Sequence, residues 1–102
     1  MTGRYDESLE VARDAKRILL LKYAATSPLV RRVDIMLGEA LRGKGRYAEA
    51  ESLLLPAFNA FESGRGFSKR PREHAVDALV RLYQAQGRSA DAAKYEALRR
   101  PK

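Results

Sequence analysis

The sequence predicts an all-α protein made of antiparallel helix-turn-helix repeats, about five helices in a row. Three observations carry that expectation. A six-residue phrase occurs three times: Gly3-Arg4-Tyr5-Asp6-Glu7-Ser8, Gly45-Arg46-Tyr47-Ala48-Glu49-Ala50 and Gly87-Arg88-Ser89-Ala90-Asp91-Ala92, each 42 residues after the last. The same shift takes Leu37 to Leu79, Leu41 to Tyr83 and Ala15 to Ala57. Apolar residues recur at helical intervals, and no stretch alternates with period two. A unit of this length cannot bury its apolar face alone and must stack on a neighbour.

The elements follow in order. Tyr5 to about Tyr23 reads as a helix with Leu9, Ala12, Ala15, Leu19 and Tyr23 inward. Ser27-Pro28 opens the second helix, because Ser caps a helix start and Pro suits its first position. Val30, Val33, Leu37, Ala40 and Leu41 give it an apolar stripe, and Gly43 and Gly45 stop it. The third helix runs from about Tyr47, with Ala50, Leu53, Leu54, Ala57, Phe58 and Phe61 on one face. Ser63-Gly64-Arg65-Gly66 opens a loop. The fourth helix enters at Arg70-Pro71, carries Ala75, Val76, Leu79, Leu82 and Tyr83, and stops at Gly87. The fifth spans about Ser89 to Leu98. The glycine after each first helix permits a tight reversal. Ala50 and Ala92 let paired helices approach, Leu37, Leu41, Leu54, Leu79 and Tyr83 fill the space between units, and Tyr5 and Tyr47 belong to the core. The chain divides into 1–26, the second helix of a truncated repeat; 27–66, a full repeat; and 67–102, a C-terminal degenerate repeat.

Composition excludes several functions. A chain of 102 residues, 45% apolar and 32% charged, makes one small domain. It has no cysteine and a single histidine, so thiol catalysis, disulfides and multi-histidine metal sites are out. The longest large-apolar run, Ile18-Leu21, is far short of the ~18 residues that a membrane span needs. The first ten residues carry Arg4, Asp6, Glu7 and Glu10 and no signal-like apolar stretch, which points to the cytoplasm and away from membranes. His74 lies near Glu73 and Asp77, but no nucleophilic serine elbow or phosphate loop accompanies it, so it reads as a binding or surface residue. Glu49, Glu51, Asp6, Glu7 and Glu10 sit at helix starts, where acids favour the dipole. No enzyme activity, cofactor or metal is expected.

The units resemble the tetratricopeptide repeat family. Its pattern, W-x2-L-G-x2-Y then A-x3-F, is matched in part by Asp34-x2-Leu37-Gly38-x2-Leu41 with Ala50-x3-Leu54, and by Val76-x2-Leu79-Val80-x2-Tyr83 with Ala92-x3-Glu96, with Asp34 and Val76 at the tryptophan position. The 42-residue period exceeds the usual ~34 and is similar to the kinesin-light-chain type. The last unit resembles the C-terminal repeats of bacterial signalling proteins such as serine/threonine kinases. The resemblance implies a non-catalytic scaffold of a larger bacterial protein, binding a peptide or partner helix in a groove. Groove-facing positions carried over from the family are Arg32, Ile35, Glu39 and Arg42 in one unit and His74, Asp77, Arg81 and Gln84 in the next. Asparagines that hold peptide backbone in kinesin-light-chain repeats are replaced here by Ile35-Met36 and Asp77-Ala78.

Charge is uneven. The formal net charge is +7, and residues 64–102 hold ten Lys/Arg against four Asp/Glu. Arg65, Lys69, Arg70 and Arg72 cluster around one loop with Phe67 among them. A basic loop with an aromatic can take phosphate or nucleic acid; a solvated loop that keeps the array soluble is the competing reading. Ile18 to Leu21 would cover every side of a helix. Either the partner of this helix lies outside the 102 residues, or a second copy covers it through Leu19 and Leu20 as a homodimer.

Overall fold

The computed structural model describes residues 3–63 and 69–98, and every regular element among them is an α-helix. These are α1 (Gly3–Leu20), α2 (Pro28–Gly43), α3 (Tyr47–Ser63), α4 (Lys69–Ala85) and α5 (Ser89–Leu98). Each helix packs on the next, and α2 also lies beside α4. The result is a row of antiparallel helical hairpins in a slab of 38 × 37 × 18 Å.

The recurring glycines make the reversals. Gly45 and Gly87 have φ of +80° and +75°, the left-handed conformation that ends a helix most cheaply at glycine. After α2, Gly45 N–H donates to the Arg42 carbonyl (2.9 Å) and Arg46 N–H to the Leu41 carbonyl (2.9 Å). After α4, Gly87 N–H donates to Gln84 (3.1 Å) and Arg88 N–H to Tyr83 (2.8 Å) in the same pattern. The arginine that follows begins the next helix. Arg46 Nε donates to Glu49 (2.5 Å), and Arg88 Nε donates to Asp91 (2.9 Å). The Gly-Arg phrase is therefore one joint used twice: glycine turns the chain, and arginine meets an acid in the first turn of the following helix.

The helix starts also follow from sequence. Ser27 accepts from Leu29 N–H at 3.2 Å ahead of Pro28, and Pro71 stands in the first turn of α4, where its missing N–H costs nothing. In contrast, α1 ends at Leu20 rather than at Tyr23. Leu21 and Lys22 turn back on the Ile18 and Leu19 carbonyls (3.1 and 3.0 Å), which leads the chain off the helix axis. Tyr23 consequently does not point inward; it is exposed.

The core joins α2, α3 and α4. Leu54, Leu79, Leu82, Val30, Val76 and Val80 are fully buried. Leu37 and Leu79, Leu41 and Tyr83, and Ala50 and Ala92 are buried at equivalent places, as the repeat requires. A Cβ at Gly38 would stand 2.5 Å from Leu54, so α2 and α3 approach closely there. Tyr47 and Tyr5 are only half-buried; a side chain at Gly43 would run into the Tyr5 ring. Tyr95 fixes α5, meeting Phe58 edge-on at 5.4 Å and stacking on Tyr83 at 5.7 Å. Tyr83 donates to Glu51 at 2.7 Å while the Arg88 guanidinium lies over its ring. Burial first, and then the bond to Glu51, push the Tyr83 phenol above its ordinary range.

Candidate functional site

The first helices of the two units, α2 and α4, lie side by side and leave a groove of about 310 Å³ between them. Ile35, Met36, Glu39, His74, Asp77 and Arg81 line it. Five of these are positions that the repeat pattern nominates. Helical spacing explains the match: 35 and 39, and 74, 77 and 81, each share one face of their helix. Ile35 is 7% exposed and forms the floor. Arg81 Nη1 lies 3.4 Å from Glu39 Oε2 and ties α4 to α2 across the groove.

Three of the eight expected residues lie elsewhere. Arg42, in the last turn of α2, lines a different groove between α1 and α2. Gln84 lines a hollow with Gly87 and the α5 residues Ser89, Ala92, Ala93 and Glu96. Arg32 is exposed on α2 and lines none of these hollows. Conversely, Met36 was not among the nominated positions. It is 54% exposed and lines both the α2–α4 groove and the α1–α2 groove. Its signal was its place four residues after Arg32 on the same stripe.

The α1–α2 groove is larger, about 470 Å³, and is bounded by Tyr5, Glu7, Ser8 and Val11 on one side and Met36, Glu39, Ala40 and Arg42 on the other. Ion pairs hold its two walls together. Lys44 pairs with Asp6, and Lys16 Nζ lies 2.8 Å from Asp34, a carboxylate only 2% exposed. Arg31 adds a second cation 3.7 Å from Asp34. An acid in the middle of an apolar stripe, between Val30 and Leu37, was the sequence's sign of this buried charge.

In the basic cluster, Arg65 and Phe67 lie outside the described residues, and Lys69 and Arg70 stand in the first turn of α4. Arg72 is engaged within the fold: its Nε donates to Glu62 at 2.5 Å and its Nη1 to the Leu98 carbonyl at 3.5 Å. Leu19 is half-buried and Leu20 is 43% exposed. Among the described residues, no three His, Asp or Glu side chains are grouped to hold a metal ion, and no helix is long and apolar enough to cross a membrane. The chain matches no family model, no curated protein and no solved structure.

Proposed function

We propose that the chain is a non-catalytic protein–protein interaction module of the tetratricopeptide type, taking a partner peptide or helix in the groove between α2 and α4. One observation carries the reading: five positions nominated by the repeat pattern line a single groove together with an exposed methionine. An exposed thioether beside a buried isoleucine offers an adaptable apolar contact. Glu39, Asp77, Arg81 and His74 surround it with groups of both signs. That mixture suits a partner segment with an apolar anchor flanked by polar residues, where the anchor supplies most of the affinity.

Selection from a displayed random-peptide library tests the reading. Enriched peptides should share an apolar anchor. Their affinity should fall about tenfold for the Met36→Lys and Asp77→Lys chains, the loss of a contact of about 1.4 kcal/mol. No enrichment, or peptides that bind both variants as well as the original chain, would overturn it. Binding to single-stranded oligonucleotides that weakens steeply with salt would instead move the function to the basic residues near the start of α4.

A further inference from the structure

The positive charge is not spread over the molecule. In an antiparallel row the α1–α2 turn, the start of α4 and the end of α5 share one end, and Arg72 marks the meeting by reaching both Glu62 and the Leu98 carbonyl. The α2–α3 and α4–α5 joints share the other end with the start of α1, where Lys44 meets Asp6 and Arg88 meets Glu51. That second end is not basic: residues 3–10 carry one Arg and three acids, and residues 39–53 carry three of each sign. At the first end, residues 13–32 carry six Lys/Arg and a single acid, Asp14. Arg17 pairs with Asp14, and Lys16 and Arg31 pair with buried Asp34. Arg13, Lys22 and Arg32 are exposed and meet no acid among the described residues; Lys22 lies over the Tyr23 ring at 5.9 Å instead.

These charges flank an exposed apolar turn. Leu20 to Thr26 is an unbroken run of exposed residues with two leucines, Tyr23, two alanines and no acid. Leu21 is 82% exposed, more than any other large apolar side chain among the described residues, and Leu29 stands exposed beside the run in the first turn of α2. The other two described joints, Lys44-Gly45-Arg46 and Gln86-Gly87-Arg88, expose no such side chains. The turn is also closed as backbone. The amides of Leu21, Lys22 and Tyr23 donate to the Ile18 and Leu19 carbonyls at 2.7–3.1 Å, and Ser27 N–H donates to Ala24 at 2.9 Å. Amides satisfied within the chain can leave water at little cost.

Aliphatic side chains at a hairpin tip, a tyrosine beside them and unpaired cations around them have the chemistry of a surface that enters a bilayer interface. Leucine reaches the acyl boundary, tyrosine sits at headgroup level and the cations meet anionic headgroups. A nucleic acid would use the cations and leave the leucines in water. No helix among the described residues is long and apolar enough to cross a membrane, but lying on one needs no span. We propose that the α1–α2 turn docks on an anionic lipid bilayer, with Leu20, Leu21 and Leu29 entering the interface and Lys22 and Arg32 meeting lipid phosphates.

The chain has no tryptophan, so Leu21→Trp places a single fluorescent reporter at the tip. With phosphatidylcholine vesicles holding about 30% phosphatidylglycerol, this chain should co-sediment and its emission should shift to the blue; pure phosphatidylcholine should give neither. In the otherwise unchanged chain, Lys22→Gln should weaken co-sedimentation about fivefold and Leu21→Asp about tenfold, with helical circular dichroism unaltered. No binding, equal binding to both vesicles, binding without the blue shift, or binding indifferent to Leu21→Asp overturns the proposal. So does emission that is already blue without lipid alongside a doubled mass in sedimentation, which puts a second copy on the turn. Tighter binding to a single-stranded oligonucleotide than to the anionic vesicles overturns it in favour of nucleic acid.

Discussion

Asp34 occupies the place where the next unit carries Val76, and Lys16 the place where it carries Phe58. One seam of the array thus sets a buried carboxylate against a partly exposed lysine where its counterpart has two buried apolar side chains. A carboxylate 2% exposed depends on its cations. Lys16→Leu should therefore lower the urea-unfolding free energy by about 2 kcal/mol, since Arg31 still stands 3.7 Å from the carboxylate. The double change Lys16→Leu with Asp34→Val, which copies the apolar seam, should restore or exceed the original value. Tyr83 gives a second residue-level outcome. Its phenol is held protonated above the ordinary value by burial and by Glu51. The folded state then keeps a proton that the unfolded chain loses near pH 10, so stability falls as pH rises past about 10. Tyr83→Phe should cost about 1 kcal/mol at neutral pH through the lost bond to Glu51 and should flatten the alkaline fall, both readable from urea melts across pH.

At the scale of elements, the two joints are alike and α1 stands apart. Gly45→Ala and Gly87→Ala should each lose about 1–2 kcal/mol in thermal or urea melts, because both positions are left-handed with open space around them, so only the backbone objects. Amides of α1 should exchange with deuterium ahead of those of α2 and α4. Helix α1 has one helical neighbour and ion pairs along its seam, whereas α2 has three neighbours. The same contrast explains what could be read in advance. The joints were legible because Gly-Arg recurs with an acid three places on, and the α2–α4 groove because its residues share helix faces. The end of α1 was not, since Ile18 to Tyr23 contains no residue that forbids helix. Arg42 and Gln84 strayed because they lie in the last helical turns, where the nearest neighbour is α1 or α5. Asp34 was visible as a letter, but its partner Lys16 is 18 residues away on another helix, beyond any local pattern.

The whole molecule is a slab only 18 Å thick, about two helices deep. Its core is a single layer pinched between neighbouring helices, so stability is shared between adjacent pairs rather than held at a centre. The matched joints at Gly45 and Gly87 have one more consequence. Residues 46–87 begin and end at the same point of the turn, so a duplicate of that segment spliced between Gly87 and Arg88 meets a joint it already fits. The exception is Val80, which stands where Gly38 admits Leu54 and would have to shrink to receive the copied leucine. The architecture can thus lengthen by gene duplication in whole 42-residue steps, each needing one glycine rather than a redesigned core.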